Sequence, residues 1–184
     1  MAEKLKFLLT IDMQKDFVDG VLGTHEARTI LPNVARKVEE CRANGYILIF
    51  TKDTHGKDYF DTREGRCLPI AHCIKGTDGH NICDEIKVDK SKDYILLKDD
   101  FGCYNAIRDV ICVEALPKGV NGEDIVIEIQ GVCTDICVVS NVIPLRQIFP
   151  NSEIIVHKDL CAGTTPEAHK AALKVFESCQ IKVV

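Results

Sequence analysis

The segment Ile125 to Ser140, IVIEIQGVCTDICVVS, sets a thiol where a thiol can become a nucleophile. A β-branched run ends at Gly131, and Thr134-Asp135 then opens an apolar helical stretch, so Cys137 is expected in the first turn of a helix leaving a buried strand. The unpaired amides and positive dipole end of a helix start favour thiolate over thiol, and the same amides can receive an oxyanion. Such a thiol needs a base. Asp12, in TIDMQKDF, can take the thiol proton and return it to a leaving amine. Lys98, in LLKDDFG, would hold that carboxylate ionised and add positive potential where negative charge develops. Together the three suit attack on an amide carbonyl.

Taken singly, a strand-end aspartate is a turn or cap residue, and a lysine beside Asp99 and Asp100 is a solvated one. What joins them is position, because each follows an apolar run and ligands of open α/β sheets bind beyond the carboxyl ends of strands. Asp53 and His55 leave the second run in the same way, as alternate residues on one face. His72 or Glu64, from the loop that follows, can complete a metal site there. Carboxylate and imidazole ligands suit zinc, iron or manganese better than calcium. His80, Cys67, Cys73 and Cys83 contain no CxxC pair and do not read as a structural zinc site. A GxGxxG loop and a Walker A loop are both absent, so dinucleotides and nucleoside triphosphates are not expected cofactors. Asp100-Phe101-Gly102 matches a kinase tripeptide, but the chain has no HRD segment.

The elements that must position these residues are six short apolar runs: Leu5 to Ile11, Tyr46 to Thr51, Tyr94 to Leu97, Asp124 to Ile129, Glu153 to His157 and Gln180 to Val184. None alternates cleanly, as expected of strands covered on both faces. Between the first two, Leu31, Val34, Ala35, Val38 and Cys41 trace a helical face opened by Pro32 and closed by Gly45. Near the end, either Thr164 and Glu167 form a capping box or Thr165 caps a helix with Pro166 at its first position; Ala168, Ala171, Ala172, Val175 and Phe176 form the buried stripe. Pro144 is expected to kink or end the helix after Cys137 near Asn141. The alternation predicts a three-layer α/β/α fold around a mostly parallel sheet, in one domain over residues 1–184. The segment from Lys52 to Asp93 breaks the rhythm and carries three of the six histidines, and a loop that long usually has a function.

A net charge of −5 with interspersed charges offers no basic patch for nucleic acid. The start MAEKLKFLLTID lacks a signal-peptide core and no stretch is long enough to span a bilayer, so a cytoplasmic protein is expected without a membrane partner. The ten cysteines then read as reduced thiols, with Cys41, Cys112 and Cys179 as small buried hydrophobes.

The segments TIDMQKDFVDG, FTKDTHGKDYF, LPIAHCIKGTDGHNI, LLKDDFGCYN and GVCTDICVVSN together resemble the isochorismatase-like cysteine hydrolases, and within them the nicotinamidases, over nearly the whole chain. The resemblance implies a six-stranded parallel sheet, a catalytic triad of Asp12, Lys98 and Cys137, and an oxyanion hole from the amides of Cys133 and Cys137 after a cis peptide at Val132-Cys133. With the Cys137 amide so used, the Thr134 side chain must satisfy a different group. The resemblance also implies one divalent metal ion, zinc first and iron or manganese next, on Asp53, His55 and His72, with Glu64 as an extra carboxylate ligand. Phe17 and Phe101 take positions that contact an aromatic substrate ring, and relatives assemble into homo-oligomers. The implied activity is hydrolysis of a small amide, nicotinamide first and an N-carbamoyl or ureido compound next. Vinyl-ether hydrolysis of isochorismate would not need the thiol, and a regulatory subunit without catalysis is the remaining alternative. One departure stands out: tryptophans common in nicotinamidases are replaced by Thr54 and by Leu68 to Ala71, and the chain has no tryptophan.

Overall fold

The computed structural model describes residues 4–184. Six parallel strands form one sheet in the order β3-β2-β1-β4-β5-β6. They are β1 (Leu5–Ile11), β2 (Ile47–Asp53), β3 (Tyr94–Lys98), β4 (Ile125–Val132), β5 (Glu153–Ala162) and β6 (Lys182–Val183). Helices α1 (Lys15–Val18) and α2 (His25–Ala43) cover one face, and α4 (Tyr104–Ala115), α5 (Val139–Ile148) and α6 (Pro166–Ser178) cover the other. The short α3 (Arg63–Cys67) lies in the segment between β2 and β3. Two cores result because strand side chains alternate. Phe7, Leu9 and Ile11 of β1 pack toward α4, α5 and α6, while Leu8 packs toward α2. The layered parallel fold is as expected, and among the described residues no helix is long and apolar enough to cross a membrane.

Several boundaries differ from expectation for identifiable reasons. Helix α2 begins at His25, because Thr24 caps it by accepting the Ala27 amide at 3.0 Å. Pro32 therefore lies inside the helix and does not open it. Pro144 also lies inside its helix, and α5 continues to Ile148. The bond that Pro144 cannot donate belongs to Ser140, in the first turn of α5, where the ladder is only beginning. Thr165, not Thr164, caps α6, accepting the Ala168 amide at 3.1 Å with Pro166 at the first helical position. The buried stripe of α6 is rotated from the one expected: Ala172 and Phe176 are buried, whereas Ala171 and Val175 are exposed. Strand β5 does not stop at His157 but resumes after a register shift and runs to Ala162. Of the three cysteines read as core, Cys41 is buried, but Cys112 and Cys179 are only half-buried.

Glu128 sits mid-strand on β4 and shows how the sheet tolerates a buried charge. Its carboxylate accepts the Tyr46 hydroxyl at 2.6 Å, His157 Nε2 at 2.6 Å and Lys37 Nζ at 2.6 Å. Burial alone would raise this carboxyl, but the hydrogen bonds from His157, Lys37 and Tyr46 outweigh it and hold it at about 2. A group depressed in the folded state stabilises above its ordinary value and loses that contribution as pH falls through the folded value. Urea unfolding midpoints are therefore expected to drop as pH is lowered from about 5 to about 2. Glu128→Gln should start lower at neutral pH and show a shallower drop; an unchanged slope would refute the role given to this carboxylate.

Candidate active site

The carboxyl ends of β1, β2, β3 and the segment after β4 bring Asp12, Asp53, Lys98 and Cys137 together. In-register pairing sets Asp53 beside Lys98 and Ile11 beside Gly131. Gly131 has φ +122°, and a side chain there would collide with the Ile11 carbonyl, so only glycine lets β4 pass so close to the end of β1. Asp12 is itself left-handed at φ +47°, a conformation costing a non-glycine residue on the order of 1 kcal/mol. Thr51 pins it there, accepting the Asp12 amide at 3.1 Å and donating to Asp12 Oδ1 at 2.6 Å.

Lys98 Nζ lies 2.8 Å from Asp12 Oδ2, 3.3 Å from Asp53 Oδ1 and 3.6 Å from Cys137 Sγ, and it donates to the Asp100 carbonyl at 3.1 Å. All four side chains are buried. Burial would discharge Lys98, but Asp12, Cys137 and Asp53 reverse that and hold it well above the ordinary lysine range. Burial also raises the Asp12 carboxyl, with Lys98 pulling down and Asp53 pushing up. For Cys137, burial pushes the thiol well above its ordinary value, the charge on Asp12 adds to this, and Lys98 offsets only part. Desolvation thus works against the thiolate expected from a helix start, and Asp12 is the carboxylate that shares Lys98 with this thiol. Apart from its ion pair with Lys98, Asp12 Oδ2 has no hydrogen-bond partner among the described residues, so it keeps capacity to accept a proton.

Beside this group lies a second one. Single donor atoms of Asp53, His55 and His72 lie within 4.8 Å of one another, and all three residues are buried. His72 Nδ1 donates to the Ile70 carbonyl at 2.8 Å, which turns Nε2 toward Asp53, 3.4 Å from Oδ2. Buried His55 Nε2, 2.9 Å from Asp53 Oδ2, makes no hydrogen bond among the described residues. Tyr59 presents its ring to both imidazoles, at 4.8 and 5.1 Å between centroids. Glu64 stands farther out, with oxygens 3.7 Å from His72 Nε2 and 3.9 Å from His55 Nε2. Burial raises the Asp53 carboxyl, but His55, His72 and Lys98 outweigh it and hold the group far below the ordinary carboxylate range. Phe17 packs against His72 at 5.4 Å, whereas Phe101 is 46% exposed on the loop after β3.

Cys137 is carried by a π-helical turn, Thr134–Val138, that follows a cis Val132-Cys133 peptide and leads into α5. Asn141 ties this turn to α4, donating to the Cys137 carbonyl at 2.8 Å and accepting the Cys103 amide at 2.8 Å. Several supports have no counterpart among the residues picked from the sequence. Gln14 clamps the backbone of Asp53, accepting its amide at 2.7 Å and donating to its carbonyl at 2.9 Å. Asp16 accepts the amide of Cys73, next to His72, at 2.8 Å. Both stand in the DMQKDF segment at alternate positions from Asp12, which was the available signal.

A parallel α/β sheet with a buried cysteine, aspartate and lysine at its carboxyl edge defines a hydrolase-type site. The isochorismatase domain matches residues 6–184, and the chain belongs to that family of hydrolases. Its relatives include a "probable inactive nicotinamidase" of Arabidopsis thaliana, 28% identical over 99% of this chain and 94% of the other. A nicotinamidase of Schizosaccharomyces pombe is 27% identical over 96% of this chain and 91% of the other. Among solved structures, nicotinamidase/pyrazinamidase PncA from Bacillus subtilis superposes with a TM-score of 0.82 at 23% identity over 98% and 99% of the two chains. A pyrazinamidase of Pyrococcus horikoshii in complex with zinc gives 0.78 at 24% over 97% and 98%. N-carbamoylsarcosine amidase from Thermoplasma acidophilum gives 0.74 at 26% over 97% and 95%.

Because desolvation pushes the Cys137 thiol upward, its labelling by iodoacetamide, followed by mass spectrometry, is expected to accelerate as pH rises past the ordinary thiol value of about 8.5. Lys98→Met should slow labelling at every pH. A rate already at its plateau at pH 7 would mean a resting thiolate and contradict this.

Proposed function

We propose that this protein is a metal-assisted cysteine amidohydrolase that converts a small amide, nicotinamide first among them, to its acid and ammonia. The observation that carries the reading is the shared ammonium, Lys98 Nζ, 2.8 Å from Asp12 and 3.6 Å from the Cys137 sulfur. Moving a proton from Cys137 to Asp12 transfers one negative charge between two neighbours of the same cation, so the step separates little charge. The sulfur then attacks the amide carbon, and the carbonyl oxygen takes the negative charge beside the amides of Cys133 and Cys137. Asp12 returns the proton to the departing nitrogen, ammonia leaves, and a thioester remains. Asp12 next takes a proton from a water whose oxygen attacks the thioester carbon; the C–S bond breaks, Asp12 returns that proton to the sulfur, and the acid is released.

The donors Asp53, His55 and His72 fit a divalent ion: His55 Nε2 is buried without a hydrogen-bond partner among the described residues, and His72 offers Nε2 with its other nitrogen fixed. Zinc suits this set first, iron or manganese next, and Glu64 stands near enough to add a carboxylate. When bound, the ion would supply a Lewis-acid anchor for a ring nitrogen of the substrate. Phe17, against His72, supports an aromatic ring lying there, and Phe101 would meet such a ring from the loop after β3. All ten cysteines are free among the described residues, which supports a reducing, cytoplasmic setting.

Two features favour a second substrate, an N-carbamoyl or ureido compound: the likeness to N-carbamoylsarcosine amidase, and Thr54 between Asp53 and His55. A purely regulatory role is disfavoured by an assembled Asp12-Lys98-Cys137 group. Ammonia release measured on nicotinamide, pyrazinamide and carbamoyl compounds, with and without chelator, separates these. We expect turnover of the pyridine and pyrazine carboxamides, lost on chelation; loss of about 10³-fold in Asp12→Asn; and none above background in Cys137→Ala. Chelator-insensitive turnover of carbamoyl compounds alone would transfer the assignment to them, and no ammonia from any amide would end the enzymatic reading.

A further inference from the structure

The turn that carries Cys137 is fastened from behind to the corner between β5 and α6. Asp135 accepts the Thr164 amide at 2.8 Å with Oδ1 and the Thr164 hydroxyl at 2.6 Å with Oδ2. One residue earlier, Thr134 Oγ1 lies 2.8 Å from His169 Nδ1. His169 stands on the inward face of α6, three residues before buried Ala172 and seven before buried Phe176. Gly163 makes the approach possible, since a Cβ there would lie 2.8 Å from Asp135 Oδ1 and 2.9 Å from His169 Cβ.

The direction of the Thr134–His169 bond follows from burial. Thr134 is fully buried, and His169 is the one partner of its hydroxyl among the described residues. Were Nδ1 to donate, the threonine proton would be buried with no acceptor. Both groups are satisfied only when the Thr134 hydroxyl donates to an unprotonated Nδ1 and the ring proton sits on Nε2. His169 also lines an open pocket of about 340 Å³ between α2, β5 and α6, so solvent protons reach the ring.

We propose that neutral His169 is a positioning residue for the nucleophile turn, holding Thr134 so that Cys137 and the amides of Cys133 and Cys137 stay in place, and that protonation of the ring releases this hold. The catalytic consequence rests on the amidohydrolase reading; the mechanical one does not. The groups facing the ring are Asp135 from the turn, Asp159 and Lys158 from β5, Lys170 from α6, and His25 and Glu26 across the pocket from α2. Burial and Lys170 favour the neutral ring against Asp135 and Asp159, and the balance lies on the neutral side.

The test uses the full chain and two readouts. Asparagine puts an acceptor oxygen where Nδ1 stands and cannot titrate, whereas glutamine reaches past that position. Hydrogen-exchange mass spectrometry of the segment spanning residues 133–138 is expected to show lost protection in His169→Gln and in Thr134→Val, and near wild-type protection in His169→Asn. Wild-type protection should fall on acidification through the histidine range, while that of His169→Asn stays level. With nicotinamide, kcat should fall about tenfold in His169→Gln and Thr134→Val with KM within twofold, the double variant should be no worse than either single one, and His169→Asn should recover most of the rate. Equal protection in His169→Gln and His169→Asn, or full protection in Thr134→Val, would overturn the proposal. If the wild type hydrolyses no amide, the functional reading fails, while the exchange measurements still decide the role of His169.

Discussion

An ammonium group loses its water on burial and can stay charged only where anions replace that water at close range. Lys98 meets this condition with two carboxylates and a thiol, and the arrangement forces the two carboxylates apart in behaviour. Asp53, beside His55, His72 and Lys98, is held in its ionised form; Asp12, wholly buried, is pushed toward protonation. Two acids beside one cation with opposed affinities for a proton amount to a division of labour. In the proposed reaction Asp12 is the group that exchanges a proton with sulfur, and Asp53 the anion that would face a metal ion. The same lysine therefore links what would otherwise be two adjacent sites.

Much of this was legible in the chain itself, and the failures have physical causes. Strand cores and the convergence of Asp12, Asp53, Lys98 and Cys137 follow from apolar runs and the residues that end them. What periodicity cannot supply is a contact made across sequence by a side chain with no obvious chemistry. Thr51, Gln14 and Asn141 are ordinary in isolation and acquire meaning only when the sheet brings their partners near. The stripe on α6 is instructive: alanine and valine on neighbouring faces made the apolar face seem rotated, which hid the inward direction of His169. For Cys137, a local rule about helix starts gave way to desolvation, a quantity that belongs to the folded surroundings alone.

The segment between β2 and β3 illustrates how a loop can place side chains with strand-like precision. Its histidines are not free to wander, because the chain just after β1 reaches across to hold it. In the run from Asp12 to Asp16, alternate side chains meet Lys98 and Thr51, the backbone of Asp53 and the amide beside His72 in turn. A side chain on Gly79 would collide with Asp16, so that contact also requires a glycine. One short segment thus sets the geometry of both halves of the site.

The π-helical turn has an implication for how this protein can change. A π turn holds one residue more than an α turn, and each helical residue rotates the chain by about 100°. Deleting a single residue between Thr134 and Val138 would swing the sulfur away from Lys98, while Val142 and Leu145 of α5, anchored in the core, resist any compensating rotation. Ile136 and Val138 can be exchanged where packing allows, whereas Thr134, Asp135 and Cys137 are held by specific contacts and the number of residues in the turn is fixed by where the sulfur must lie.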